Sequence, residues 1–308
     1  MSGRSAAGSR VGLFVRFARV QFVPVILAPI LVGAAVAFYT SHSINLPFLA
    51  LLLIGAASLH IASNSIDDAY DFLNGVDGAS DRMFPKEFPG WKPIPWGLLS
   101  VSQAFAISFV FYSFSLAIGL YLALAVGWIA LAIAVPGVLL SYFYVAPPLK
   151  LDYRGLGLGE LSIFFGFGPL PALGAFYVLT GSLSILPLLA SIPCGLLTVN
   201  VLLSHDMIFY DPYKAAGKRS LTIVLGRVRT EWLSFSISIA SYLVAVSLVL
   251  AKAIPPTALL VVLALPLLLK SGLPSKSERP VPDYGSRTQL FFLHSVAFGL
   301  LLALGLVV

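Results

Sequence analysis

Apolar positions in this chain come in runs of about twenty residues, separated by shorter polar stretches, without the 3.6- or 2-residue alternation of half-buried elements. A helix of that length crosses the hydrocarbon core of a bilayer. The runs predict nine helices, over 20–40, 47–66, 102–122, 124–144, 160–179, 184–205, 231–250, 255–270 and 289–308. The expected fold is all-α: a polytopic membrane bundle of nine transmembrane helices forming one domain over residues 1–308. Its longer polar connections follow helices 2, 4, 6 and 8 and should gather as a cap at one end.

Charge sorts the ends of the bundle. The basic residues fall in the N-terminal segment and in those four longer loops; of the 19 Lys and Arg only Lys252 lies on the opposite face. Positive charge marks the cytoplasmic side, so the N-terminus is expected there and the C-terminus outside. All 13 Asp and Glu sort to the same side or to the helix ends that face it. Chemistry, if present, should lie at that end.

Composition narrows the class. Of 308 residues 58% are apolar and 10% charged, against about 25% charged in an ordinary soluble domain. With a mean hydropathy of +0.95, neither a soluble globule nor a disordered chain fits. The single cysteine, Cys194, excludes a disulfide framework and a thiolate metal cluster. No cleavable signal and no nucleic-acid partner are expected. His42, His60 and His294 stand alone in or near apolar helices and read as packing residues, and Trp91 and Trp96 as interfacial anchors.

The densest polar stretch runs from Asn64 to Asp77 and closes the second helix. Asp67 and Asp71 share one helix face, as do Asn64 and Asp68, and Asn74-Gly75 reads as a turn before Asp77. Four carboxylates in eleven residues repel one another unless a cation compensates, and an oxygen-only donor set without Cys or nearby His suits Mg²⁺. A solvated helix end is the bland alternative, set against the cost of ionisable groups at membrane depth. A second polar stretch closes helix 6, with His205, Asp206, Asp211, Pro212, Lys214, Lys218 and Arg219. Asp206 and Asp211 are five apart, a poor spacing for one helix face. Pro212 disfavours the α conformation at Asp211, so the helix is expected to loosen or end there and let Asp211 swing toward Asp206. The loop after helix 4 carries Pro147-Pro148, Lys150 and Arg154. Together with Arg82, Lys86, Lys214, Lys218 and Arg219, these cations could surround the acids, a combination suited to a polyphosphate with a lipid tail.

At this point the chain resembles the UbiA superfamily of intramembrane aromatic prenyltransferases, and most closely its 1,4-dihydroxy-2-naphthoate polyprenyltransferase branch. That branch's first motif, Asn-x-x-x-Asp-x-x-x-Gly-x-Asp, falls on Asp67, Asp71, Gly75 and Asp77, with Asp67 in place of the Asn and Asn64 as a further upstream Asn. Ile94–Ser100, Ala146-Pro147-Pro148-Leu149-Lys150, Phe165–Leu170 and Ala216-Gly217-Lys218-Arg219-Ser220-Leu221 resemble further family segments in order. The family's second motif, Asp-x-x-x-Asp, would land on Phe209 and Tyr213; Asp206 and Asp211 are the available substitutes at altered spacing.

The resemblance implies Mg²⁺-dependent transfer of a polyprenyl group from its diphosphate to an aromatic ring. Asp67, Asp68, Asp71, Asp77, Asp206 and Asp211 would hold the metal. Asn64, Arg82, Lys150, Arg154, Lys214, Lys218 and Arg219 would hold the diphosphate, and Asp67, Asp71, Asp77 and Lys150 would be catalytic. A naphthoate acceptor of menaquinone-type synthesis is favoured, with 4-hydroxybenzoate, an archaeal glycerophosphate lipid and a porphyrin as alternatives. The cavity is expected to be walled by helices 2 and 6 and by the loops after helices 2, 4 and 6, and to open sideways to lipid. A transporter would place its polar residues in broken helices at the midplane, and a CDP-alcohol phosphotransferase would show Asp-Gly-x-x-Ala-Arg, which is absent.

Overall fold

The computed structural model describes residues 10–84 and 92–308. Among these residues there is no strand. The helices are α1 (Arg10–Phe17), α2 (Val23–Ser41), α3 (Leu46–Leu73), α4 (Val76–Met83), α5 (Val101–Val126), α6 (Ile129–Phe143), α7 (Leu158–Gly166) and α8 (Pro169–Thr180). They continue with α9 (Leu186–Ile208), α10 (Tyr210–Ala215), α11 (Leu221–Leu225), α12 (Arg227–Leu250), α13 (Leu265–Ser271) and α14 (Val281–Val307). Among the described residues seven helical segments are long and apolar enough to cross a membrane, α7 and α8 counting as one; two shorter apolar segments cover 129–143 and 256–271. Each expected span therefore has a helical counterpart, but α6 and the 256–271 segment are short of crossing length. Lys86 and Trp91 lie outside the described residues.

The boundaries move for local reasons. The second helix continues to Leu73, so Asp67, Asp68 and Asp71 are helical, and its first turn is capped where Asn45 Oδ1 accepts from the Phe48 amide. Gly75 then takes a left-handed conformation (φ 79°), which only glycine adopts freely, and reverses the chain into α4. The expected fifth helix divides at Phe167-Gly168, where Pro169 opens α8. A Cβ on Gly168 would stand 2.8 Å from the Cα of Gly195 on α9, so this break lets two backbones approach. The expected eighth helix is a 3₁₀ stretch over Pro256–Ala264 followed by α13.

In lipid, helices associate by close packing and not by the exclusion of water, and small residues favour it. Buried Ala28, Gly33, Ala34, Ala35 and Ala37 give α2 such a face; it packs on α8 and α14, while α9 packs on α12 and α14 and α3 on α5. Large apolar residues such as Phe109, Phe114, Leu120 and Leu124 are exposed along α5, the surface a lipid-facing helix presents. At one end, α10 packs on α4. Val76, Met207, Ile208, Phe209, Tyr213 and Tyr284 form a separate apolar cluster beneath this cap.

Candidate active site

Below the cap lies a cavity of about 310 Å³. Arg19, Asn64, Asp67, Asp152, His205, Asp206, Tyr213 and Lys218 line its polar end. From there the lining continues along one stripe of α3 through Ser63, His60, Leu59, Ala56, Gly55 and Leu52, and across residues of α5 to α8. The helical repeat explains the stripe, since residues three and four apart share a face. Helix α9 contributes Leu202, His205 and Asp206.

The polar end is an ionic lattice. Arg19 reaches Asp67 at 3.1 Å and Asp68 at 2.5 Å, and its guanidinium also donates to Asn64 Oδ1 at 3.4 Å. Lys92 pairs with the same Asp68 oxygen at 2.5 Å and with Asp77 at 3.3 Å. Lys218, 3% exposed, lies 2.6 Å from Asp152 and 3.6 Å from Asp71. The Tyr153 hydroxyl donates to Asp71 at 2.5 Å. Among the described residues the charge partner of Asp206 is the His205 ring, at 3.8 Å.

Charge does not balance in this lattice. Asp67, Asp68, Asp71, Asp77 and Asp152 share Arg19, Lys92 and Lys218, and Asp206 pairs with none of these cations, a surplus of three carboxylates among the described residues. One oxygen each of Asp77, Asp152 and Asp206 is buried without a hydrogen-bond partner. Burial pushes the Asp77 carboxyl up to about 7, with neighbouring acids adding to the rise and Lys92 opposing it. Burial likewise holds Asp152 well above the usual carboxylate range, against the pull of Lys218. For Lys218 burial acts to lower the pKa, but Asp152 and Asp71 outweigh it and keep the ammonium charged.

Of the site residues expected from sequence, Asn64, Asp67, Asp68, Asp71, Asp77, Asp206 and Lys218 come together. Lys150 stands at the edge, donating to Asn74 Oδ1 at 2.8 Å with its ammonium 5.8 Å from the Tyr153 ring centre. The others do not join. Asp211 is 60% exposed and pairs with Arg227 at 2.9 Å. Helix α9 does end beside it, at Ile208, but Asp211 lies in the first turn of α10 and pairs with Arg227 instead of joining Asp206. Arg154 donates to the carbonyls of Leu149 and Pro148, tying down its own loop. Arg82, Lys214 and Arg219 are exposed, with Lys214 above the Tyr210 ring. Among the described residues no three His, Cys, Asp or Glu converge on a common metal position.

Arg19, Lys92, Asp152 and Tyr153 join the site without a signal in the sequence that marks them for it. Arg19 and Lys92 look like interfacial anchors, and Asp152 is a lone acid in a loop. One signal is visible only in the backbone: Arg19 and Lys150 are among the four non-glycine residues with positive φ in the described part of the chain, a conformation that tends to cluster at functional sites.

An acid-rich pocket roofed by a cap and continued by an apolar groove, inside a helical membrane bundle, defines an intramembrane site suited to a cation and to a molecule with a long apolar part. Comparison with known proteins makes that specific. Residues 26–296 match the UbiA prenyltransferase family, and the chain belongs to that family and is a prenyltransferase. It is 26% identical over 246 residues to 1,4-dihydroxy-2-naphthoate octaprenyltransferase of Bacillus subtilis, covering 80% of this chain and 75% of that protein. The protein of the same name from Haemophilus influenzae is 27% identical over 285 residues, covering 89% and 88%. A solved structure of a UbiA homolog from Archaeoglobus fulgidus bound to DMAPP and Mg²⁺ superposes with a TM-score of 0.61 at 20% identity, over 92% of this chain and 98% of that one.

Proposed function

We propose that this chain transfers a polyprenyl group from a polyprenyl diphosphate to a hydroxylated aromatic acceptor of the 1,4-dihydroxy-2-naphthoate type, as in menaquinone-type quinone synthesis. One observation carries the reading: a single cavity joins a carboxylate-rich end to an apolar groove. The Bacillus and Haemophilus relatives support the naphthoate class of acceptor.

The donor set fits Mg²⁺. This ion uses one or two carboxylates together with substrate phosphate oxygens, without an all-protein cage. The surplus carboxylates and the unpartnered oxygens of Asp77, Asp152 and Asp206 match that need. Asp67 and Asp71, one helical turn apart, would hold the ion together with substrate oxygens, with Asp68, Asp77 and Asp206 behind them. When bound, it neutralises charge on the diphosphate and so favours departure of pyrophosphate.

The chain's own residues do the rest. Arg19 and Lys218 line the cavity and present positive charge where the allylic C–O bond breaks and its electron pair leaves on pyrophosphate. Tyr153 fixes the Asp71 carboxylate. The apolar lining keeps water from the allylic cation, so the acceptor ring captures it through carbon and regains aromaticity by losing the proton, or a ring carboxyl as carbon dioxide, from that carbon. Leu116 and Val135 line the cavity and are 50% and 39% exposed at the outer surface of α5 and α6, which supports a sideways exit for the prenyl tail into lipid.

Purified protein incubated with Mg²⁺, labelled geranylgeranyl diphosphate and, separately, the naphthoate, 4-hydroxybenzoate or a glycerophosphate lipid tests the reading. Prenylated naphthoate is the expected product; prenylation of another acceptor alone overturns the naphthoate assignment. We further infer nine passes with the N-terminus cytoplasmic. The one native cysteine, Cys194, is buried, so Arg154→Cys should label from the cytoplasmic face and Lys252→Cys from the opposite one. The reverse pattern overturns that topology.

A further inference from the structure

Within the cavity a second set of polar groups borders the ionic lattice and shares Asn64 with it. His60 lies on the lining stripe of α3, two turns before Asp67, about 10 Å along the helix at 1.5 Å per residue. Its side chain is 8% exposed, and neither ring nitrogen has a hydrogen-bond partner. The ring meets Phe167, which also lines the cavity, edge to face at 5.8 Å. One turn nearer the acids, Asn64 Nδ2 is buried without a partner, and so is the hydroxyl of Tyr144 at the end of α6.

Buried polar groups are nearly always hydrogen-bonded, and an unpaired one costs about 1–3 kcal/mol. A packing histidine would satisfy at least one nitrogen, as His294 does through the Tyr242 hydroxyl at 2.8 Å. His60 satisfies neither, and it borders the space where the ionic end gives way to the groove. A neutral imidazole offers one donor and one acceptor, and the Phe167 ring beside it offers an aromatic surface. A flat molecule bearing a hydroxyl group would satisfy both.

We propose that His60 binds the hydroxylated ring of the acceptor, with Asn64 and Tyr144 completing its polar contacts, and so determines which acceptor is prenylated. The assignment rests on the function proposed above. His60 serves the acceptor and leaves the diphosphate to the lattice. Its ring hydrogen-bonds an acceptor hydroxyl, while Phe167 packs on the aromatic face. This holds a ring carbon toward the polar end, where the allylic carbon is generated. Acceptors that lack the hydroxyl leave the imidazole unpaired and are disfavoured.

The test compares steady-state kinetics of wild type, His60→Leu and His60→Gln with Mg²⁺, geranylgeranyl diphosphate and 1,4-dihydroxy-2-naphthoate or 4-hydroxybenzoate, whichever wild type prenylates. His60→Leu should raise KM for the acceptor about tenfold to a hundredfold, the cost of losing a buried hydrogen bond, with KM for geranylgeranyl diphosphate unchanged. That unchanged KM also shows the variant is folded. His60→Gln, which restores a donor and an acceptor, should recover most of the loss. Removing the acceptor hydroxyl should cost wild type far more than His60→Leu, since contacting groups are not additive. If wild type prenylates the naphthoate and His60→Leu matches it for both substrates, the inference fails and the proposed function stands. The inference also fails if both KM values rise together and His60→Gln gives no recovery. If wild type prenylates neither aromatic acceptor, both fall.

Discussion

The two acidic segments of this protein look alike in sequence and behave differently in space. On α3 and α4, Asp67, Asp68, Asp71 and Asp77 all reach one lattice, because helical spacing aligns the first three and the Gly75 turn folds the fourth back. On α9 and α10, Asp206 reaches the cavity and Asp211 does not. The chain breaks at Phe209 and resumes as a new helix, so Asp211 faces Arg227. A helix break can thus remove a carboxylate from a site as readily as it can bring one in. What decides is the partner waiting on each side. Arg227 accepts stacking from Tyr210 and also pairs with Glu278, and it is already held by its bond to the Met207 carbonyl.

Substitutions can break or sharpen this contrast. The largest effect is expected at the centre of the first segment. Asp71→Ala should lower prenyl transfer by about a thousandfold or more while the protein still inserts in the membrane, and EDTA should do the same to wild type. Full turnover in either case removes the metal assignment. Next comes the cation that binds the segments to the loop after α6. Lys218→Met leaves Asp71 and Asp152 without their buried counter-charge and should destabilise the detergent-solubilised protein by about 3–5 kcal/mol. Thermal unfolding followed by circular dichroism would show it, and an unchanged midpoint contradicts the pairing. Asp206→Asn should reduce turnover about tenfold to a hundredfold, measured with saturating acceptor. Smallest of all, Asp211→Asn disturbs one exposed ion pair, worth about 0–1 kcal/mol. Its turnover should stay within about threefold of wild type; a loss equal to that of Asp206→Asn would make the two segments equivalent after all.

Much of this arrangement is legible in the residues themselves. The apolar runs mark the helices, because in lipid every backbone group must be satisfied within its own segment. The spacing of Asp67 and Asp71 and the turn at Asn74-Gly75 give the first segment. Other features depend on neighbours that no local pattern reveals. Arg19 and Lys92 are cations near a membrane surface, where basic residues are expected anyway, and only the fold brings both to Asp68. Asp152 acquires its role by meeting Lys218, 66 positions along the chain. The 3₁₀ stretch of Pro256–Ala264 packs against α12 and α14, and its sequence, apolar apart from Thr257, carries no period to betray it. Arg154 misleads in the opposite sense: placed beside the site by sequence, it spends its guanidinium on Leu149 and Pro148.

The lattice of Arg19, Lys92 and Lys218 behaves like an ion exchanger loaded with tethered counterions. Sodium or potassium would diffuse away once displaced, whereas these three remain attached to the chain and return to their carboxylates when the site empties. Under the proposed reaction, a prenyl diphosphate arriving with its metal carries both signs of charge and can trade partners with the whole lattice. A prenyl alcohol carries neither. It can enter the apolar groove but has nothing to exchange, so a membrane rich in spent or unactivated isoprenoids would leave the lattice closed.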